Sequence, residues 1–203
     1  MLRLAAGLHK PFPPRRGQLW IPTSSRRAAL AGLSLYPACR HSAVLVQRTA
    51  WELVKLFGPA ALPGRSEQWS PMSASEWQPL VERWREVIGP FDEVAGYART
   101  DASRGGLAVL LLLRGEPLAF VKLRHRDDGR LRLEARATEL AFRAAPRAFR
   151  VPEPLDSALV GDWSFFAVGP LPPEIHAVPS SLDLVAVAAG IRAAFSLLQL
   201  ANP

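Results

Sequence analysis

The sequence predicts an α+β fold: a small antiparallel sheet of about five strands with a packed helix, an N-terminal helical extension and one C-terminal helix. Between residues 93 and 168, short apolar runs alternate with turns that contain Gly or Pro, as in β-hairpins. Outside this range, apolar residues recur at helical spacing. The composition, 49% hydrophobic and 21% charged, is typical of a globular domain.

Three helices are predicted ahead of the sheet. The second stops at Gly58-Pro59, and the third begins with a capping box formed by Ser75 and Gln78. Trp77 and Trp84 share one side of the third helix, a stripe that is typical of core packing. The proline-rich first 22 residues and the linker 62–71 are predicted to be irregular. The three helices lie at residues 26–35, at residues 42–57 and from Ser75 to Ile88.

Five strands and two further helices are predicted in the rest of the chain. The strands lie at residues 93–98, 107–113, 118–123, 155–159 and 163–168. A helix over 131–144 places Leu133, Ala137, Leu140 and Ala141 on one apolar face. The last helix, over 181–200, is apolar nearly all round, as expected for a helix that another lobe buries.

Positive charge is concentrated at the N-terminus. Residues 1–51 carry eight Lys or Arg side chains and no Asp or Glu, and the whole chain has a formal net charge of +7. Such an arm attracts phosphates, nucleic acid or anionic lipid, although most arms of this kind are solvated without a dedicated partner. We therefore do not expect nucleic acid to be the partner.

Cysteine usage and hydropathy bear on the compartment. The one cysteine, Cys39, cannot form an internal disulfide, and no Cys/His set has zinc spacing. No apolar run approaches the roughly 20 residues that span a bilayer. These features predict a cytoplasmic protein without a transmembrane segment, with an organellar transit peptide in the Arg-rich start as the alternative.

Four short segments resemble one fold family. Along the chain they give a strand that ends in a lysine, a helix with an acid, a strand pair and a connector. This layout resembles the N-terminal lobe of the protein-kinase-like fold, in particular its aminoglycoside phosphotransferase and choline kinase branch, over residues 93–175. The segments are Ala119-Phe-Val-Lys122-Leu123, Leu133-Glu134-Ala135, Phe149 to Leu155 and Trp163 to Gly169.

The resemblance implies a site for the phosphates of ATP. Lys122 would hold the phosphates, and Glu134 would orient its ammonium, with Glu139 as the alternative acid. The chain has three lysines and 22 arginines, so a lysine inside an apolar strand is less expected as incidental surface charge. From the residues alone, a lysine that faces water and acids that are simply solvated remain the alternatives.

The resemblance also places the rest of the nucleotide. The turn from Thr100 to Gly106 would cover the phosphates, although it lacks the full Gly-x-Gly-x-x-Gly pattern and an ordinary hairpin turn is the alternative. The adenine would lie against the connector, between apolar walls. The residues implied are Ser103, Gly105 and Gly106 at the phosphates, Val168 and Leu171 at the adenine, and Leu107, Ala119 and Phe166 in the walls.

The residues that would catalyse transfer are missing from the sequence. A kinase of this branch needs a His-Gly-Asp loop, a downstream Asn and a second, metal-binding Asp. None of the four histidines begins His-Gly-Asp, and Asp183 is the only acid after Ser181. The resemblance therefore implies a nucleotide-binding lobe of a small-molecule phosphotransferase that is not catalytically competent alone and has no Mg²⁺ site.

The expected organisation follows from this comparison. A basic extension (1–75) precedes the kinase-like lobe (76–175), and residues 176–203 begin a helical lobe. We expect a truncated gene product, a fragment or half of a split protein, whose partner besides the nucleotide is a missing C-terminal lobe or another protein. The alternative is a non-catalytic, pseudokinase-like binding module with the basic arm as its contact surface.

Overall fold

A computed structural model describes residues 7–13, 18–35, 41–98, 106–126, 129–144 and 150–170. Within these ranges the chain forms eight strands, four α-helices and a short 3₁₀ helix, Pro59–Ala61. The helices are α1 (Arg26–Ser34), α2 (His41–Phe57), α3 (Ala74–Val87) and α4 (Arg130–Ala144). The strands are β1 (Leu8–Phe12), β2 (Leu19–Pro22), β3 (Glu67–Gln68), β4 (Glu93–Ala98), β5 (Leu107–Leu113), β6 (Glu116–His125), β7 (Pro154–Val160) and β8 (Trp163–Val168).

All eight strands belong to one antiparallel sheet, in the order β3-β1-β2-β4-β5-β6-β8-β7. The α+β class is confirmed, but the prediction of about five strands is wrong. The five predicted strands are β4 to β8, and three more come from the segments predicted to be irregular. The first segment was predicted to be irregular because it is rich in proline, yet Pro11 lies within β1. Leu8 and His9 of β1 pair with β3, and Pro11 lies beyond this paired part. At Pro11 the strand is therefore an edge, where a missing N–H is tolerated.

The helices follow the predicted boundaries closely. The ends of α1, α2 and α4 lie within one residue of the predicted ends. The capping box of α3 is displaced by two residues, from Ser75 and Gln78 to Ser73 and Glu76. The Ser73 N–H donates to Glu76 Oε2 at 3.1 Å. A carboxylate there also complements the positive end of the helix dipole, which the Gln78 amide does not.

Helices cover both faces of the sheet over β4 to β8. On one face, Leu80 and Trp84 of α3 pack against inward residues such as Val109 and Val121. On the other face, Phe120 packs with one cluster that contains a residue of α1 and with a second that contains residues of α4. We call this second surface the α1/α4 face. Because successive strand residues point to opposite faces, residues 120, 122 and 124 of β6 all belong to it.

Aromatic rings connect the two ends of the sheet on the α3 side. Trp20 of β2 stacks on Trp69 at a centroid distance of 6.3 Å, and Trp69 meets Trp77 edge to face at 6.2 Å. Trp77 in turn meets Trp84 at 5.4 Å. The tryptophan stripe of α3 is therefore packed in the core and is not an open stacking surface, since Trp84 is fully buried.

The basic N-terminal segment is partly folded into the core. Lys10 is 8% exposed, and its ammonium donates to the carbonyl oxygens of Ala60 and Leu62 at 3.0 and 2.6 Å. Lys10, one of the basic residues of the arm, therefore links β1 to the 3₁₀ helix, and its ammonium is not exposed to bind a partner. Of the helices described here, none is both long and apolar enough to cross a membrane.

Candidate functional site

The lysine indicated by the sequence projects from β6 onto the α1/α4 face. In the ladder Lys122 lies opposite Ala108 of β5 and Phe166 of β8. Its ammonium donates a hydrogen bond to Glu134 Oε1 on α4. The two side chains are 41% and 45% exposed. The pair is therefore open to a solute, and it is not an ion pair sealed in the core.

The packing of α4 explains why Glu134 meets the lysine. Leu131 and Ala135 are the buried residues of the helix. Glu134 lies one turn after Leu131, so it shares the side that faces the sheet. Leu133 points away and is 71% exposed. The apolar face predicted around Leu133 is thus not the face that packs.

The alternative acid has other partners. Glu139 accepts from Arg136 at 3.1 Å and also from Arg143, both on its own helix. Of the two acids that the sequence offered, Glu134 is the one that contacts Lys122. The spacing of twelve residues between the strand lysine and the helix acid therefore brings the two charges together.

A cleft of about 250 Å³ opens beside this ion pair. Leu35, just after α1, and Leu131 of α4 contribute apolar walls. Among the described lining residues, the charged ones are two cations, Lys122 and Arg124, and one carboxylate, Glu134, with a summed charge of +1. The described lining residues are Leu35, Tyr97, Gly106, Leu107, Ala108, Phe120, Lys122, Leu123, Arg124, Leu131 and Glu134.

The predicted phosphate-covering turn is only partly described. Gly106 lines the cleft together with Lys122. Ser103 and Gly105 lie outside the described residues, as does Leu171 of the predicted adenine contact. The predicted helix 181–200 lies outside them too. Gly106, the last residue of the turn and the one that the structure describes, therefore lines the cleft.

The connector that was predicted to contact adenine offers little to a base. Val168 is 8% exposed and lies opposite Phe120 in the ladder. The Gly169 N–H already donates to the Glu153 carbonyl at 2.7 Å, and Pro170 has no N–H. In the described part of the connector, neither residue 169 nor residue 170 therefore has an amide hydrogen for a ligand.

The side chains of two of the three predicted apolar walls belong to the opposite face of the sheet. Leu107 and Ala119 pack in the core beneath α3, although Leu107 is among the residues that line the cleft. Phe166 shares the face of Lys122, but it is buried against α4 with Leu131. The alternation of β-strand side chains decides this, because 107 and 119 are out of phase with 122 in the ladder.

Sequence reasoning missed seven of the described lining residues: Leu35, Tyr97, Ala108, Phe120, Leu123, Arg124 and Leu131. Arg124 could have been found, because it lies two residues after Lys122 on the same strand and so on the same face. Phe120 could have been found in the same way, because it lies two residues before Lys122 on the same strand. Tyr97 lies on β4, and ladder pairing puts it on the same face as Lys122. Leu35, by contrast, reaches the cleft because α1 packs on the sheet, and no local pattern signals this.

A metal site is not evident in the described ranges: no three His, Cys, Asp or Glu side chains there lie close enough to hold a metal ion. Among known proteins, no family model matches the chain. No curated protein and no solved structure matches it either. Function therefore has to be argued from the geometry and chemistry of the cleft.

Proposed function

We propose that this chain is the nucleotide-binding lobe of a kinase-like small-molecule phosphotransferase, with ATP as its ligand. The observation that carries the proposal is the half-exposed contact between the Lys122 ammonium and the Glu134 carboxylate beside a cleft. The order of elements supports it: a lysine strand (β6), an acid-bearing helix (α4) and a strand pair (β7 and β8) follow one another, as the resemblance implies.

The chemistry of the pair suits a phosphate ligand. An ammonium is a compact charge with three donors, so it can contact a carboxylate and a phosphate oxygen at the same time. Glu134 restricts where the lysine side chain can go, which lowers the entropy lost when the phosphate binds. In protein kinases a strand lysine and a helix glutamate perform this task.

The proposed role is binding of the phosphoryl donor, without transfer by this chain alone. Transfer needs a group that positions the acceptor hydroxyl and carboxylates that hold Mg²⁺. The four histidines are followed by Lys10, Ser42, Arg126 and Ala177, so none begins a His-Gly-Asp loop. A non-catalytic kinase-like module, which keeps only the binding step, is the second candidate, and this same feature favours it.

Calorimetric titration with ATP–Mg²⁺ tests the proposal. Lys122→Ala is expected to weaken binding about tenfold or more, because a hydrogen-bonded charge contact to a phosphate contributes roughly 1.5–3 kcal/mol. Lys55→Ala is the matched control, since Lys55 is an exposed lysine on α2 that is not among the described lining residues. Equal affinities for wild type and Lys122→Ala, or no ATP binding by wild type, would contradict the proposal.

A further inference from the structure

We propose that the cleft recognises the phosphate chain of its ligand and excludes the base, so that the ligand class is a short phosphoanhydride anion. Inorganic tripolyphosphate and the triphosphate end of any nucleotide share this chemistry. The inference rests on the proposed function, because it keeps Lys122 and Glu134 as the phosphate contact. It is drawn from what occupies the α1/α4 face between Lys122 and Val168.

Phe120 fills the place that a base would need. It lies two residues before Lys122 on the same face and opposite Val168. On the α1 side it packs with the cluster that contains Ala28 and Leu110. On the α4 side it packs with the cluster that contains Val168 and Leu131. A base that extended from the Lys122 end of the cleft to the connector would have to displace this ring.

The helix that covers Phe120 is held at both ends. Near its N-terminus, Arg27 pairs with Glu116 at 3.2 Å, and a Cβ at Gly115 would lie 2.9 Å from Arg27 Cβ. Near its C-terminus, a Cβ at Gly32 would lie 3.3 Å from Ala95 Cβ. Such close approach of helix and sheet leaves no layer for a planar ligand between them.

The remaining space fits an anion better than a nucleoside. Its volume of about 250 Å³ falls below the roughly 300–1,000 Å³ of sites for drug-sized ligands. The part of its lining that the structure describes has a net charge of +1 and includes both Arg124 and Lys122. A guanidinium binds phosphate oxygens through two parallel donors, so Arg124 is the second phosphate contact.

The described connector gives the base no amide N–H donor at residues 169 and 170. The Gly169 N–H is already bonded to the Glu153 carbonyl, and Pro170 has none to offer. A ring nitrogen of a base, which accepts hydrogen bonds, would therefore lose its bond to water without gaining one from the amide of residue 169 or 170. This desolvation cost adds to the steric exclusion by Phe120.

Four ligands separate the phosphate chain from the base: tripolyphosphate, ATP, GTP and adenosine, titrated by calorimetry at one free Mg²⁺ concentration. We expect the three phosphates to bind with dissociation constants within about threefold of one another, since the base contributes less than roughly 0.7 kcal/mol. Adenosine is expected to give no measurable binding, because it lacks the anion.

Selectivity for the base would overturn the inference. ATP that binds about tenfold or more tightly than tripolyphosphate, or a measurable adenosine complex, means that the base has a subsite, while the proposed function stands. If none of the phosphates binds, both the inference and the proposed function fail.

Two arginine variants test the second phosphate contact. Arg124→Gln is expected to weaken tripolyphosphate and ATP by the same factor, about fivefold or more, and Arg124→Lys to restore part of the loss. Arg126→Gln is the control, because Arg126 lies outside the cleft lining and faces Asp162 at 3.7 Å. Unchanged affinities in Arg124→Gln, or losses that differ between the two ligands, would contradict the assignment of Arg124.

Discussion

Gly96 of β4 lies directly beneath the indole of Trp69, so that a Cβ at position 96 would come within 1.7 Å of the ring carbon Cη2. The ring has little room to retreat. It stacks on Trp20 at 6.3 Å, and it meets His9 at 5.7 Å and Trp77 at 6.2 Å between centroids. The absence of a side chain at residue 96 is thus a packing requirement of the sheet where the N-terminal strands join it.

Gly96→Ala is expected to lower the free energy of unfolding by about 1–3 kcal/mol, the usual range for overpacking a core. The added methyl group forces Trp69 off its neighbours, and the loss is measured by urea denaturation with tryptophan fluorescence. Backbone strain does not contribute to this loss of stability, because Gly96 does not have a positive φ.

A double-mutant cycle with Trp69→Ala provides the control. If the clash with the indole is the cause, Gly96→Ala destabilises the Trp69→Ala background by clearly less than it destabilises wild type. Equal losses in both backgrounds would show that Trp69 is not the neighbour that makes glycine necessary.

Glu134→Gln distinguishes positioning from net charge. The substitution removes the carboxylate and raises the net charge of the cleft lining from +1 to +2, which by charge alone tightens anion binding. We expect the opposite, a loss of about threefold or more in tripolyphosphate affinity, because the Lys122 ammonium loses the group that orients it.

Glu139→Gln is the matched control on the same helix, since Glu139 pairs with Arg136 and Arg143 and not with the strand lysine. It is expected to leave tripolyphosphate affinity unchanged. Tighter binding by Glu134→Gln would contradict the positioning role. Both variants are expected to change stability by less than about 1 kcal/mol, because exposed ion pairs contribute little.

The sequence was sufficient for elements whose signals are local. The strands β4 to β8 and the boundaries of α1, α2 and α4 followed from apolar periodicity and turn residues. The contact between Lys122 and Glu134 was expected from the resemblance alone, and the structure brings the two side chains together.

The rest depends on contacts between distant segments. The short strands β1 to β3 gain their hydrogen bonds only by adding to an existing sheet edge, which a local pattern of five residues or fewer cannot signal. Likewise, α1 could have packed anywhere on the surface. Its place is set by the close approach of Arg27 to the turn at Gly115 and of its own Gly32 to Ala95 of β4, both far away in sequence. The site predicted from the sequence therefore did not include α1, the helix that bounds the cleft.

Glu76 predicts a pH dependence of stability. Hydrogen bonds from the Ser73 side chain, from Trp163 Nε1 at 3.1 Å and from the Ser73 backbone hold the pKa of this carboxyl below its ordinary value. A folded-state pKa that is lowered contributes stability that is present above the ordinary glutamate value, and lost as pH falls through the folded value.

Glu76→Gln is therefore expected to be less stable than wild type at pH 7, with a difference that shrinks below about pH 4 as the wild-type carboxylate takes up a proton. Urea denaturation of both proteins at a series of pH values measures this. Glu82→Gln, an exposed acid that accepts from Gln78 on the same helix, is the control and is expected to show no such trend. A difference that stays constant with pH would contradict the role of the charge.

A designed disulfide tests whether α1 lies on the sheet as described. A Cβ at Gly32 would be 3.3 Å from Ala95 Cβ, just short of the roughly 3.5–4.5 Å in disulfides. Pro22 Cδ, at 3.0 Å, would need to yield by a few tenths of an ångström. Gly32→Cys with Ala95→Cys, in a Cys39→Ser background that removes the one native thiol, is expected to crosslink under mild oxidation.

Arg26→Cys with Ala95→Cys is the control pair, because residue 26 lies six positions and about 9 Å along the helix from residue 32, out of disulfide reach. Crosslinking is read from mobility on a non-reducing gel and from free-thiol titration. If α1 stays in place when the phosphate chain binds, the oxidised Gly32/Ala95 variant keeps its tripolyphosphate affinity within about twofold of the reduced form. Loss of affinity on oxidation would mean that α1 has to move for binding, and equal crosslinking of both pairs would mean that α1 has no fixed position on the sheet.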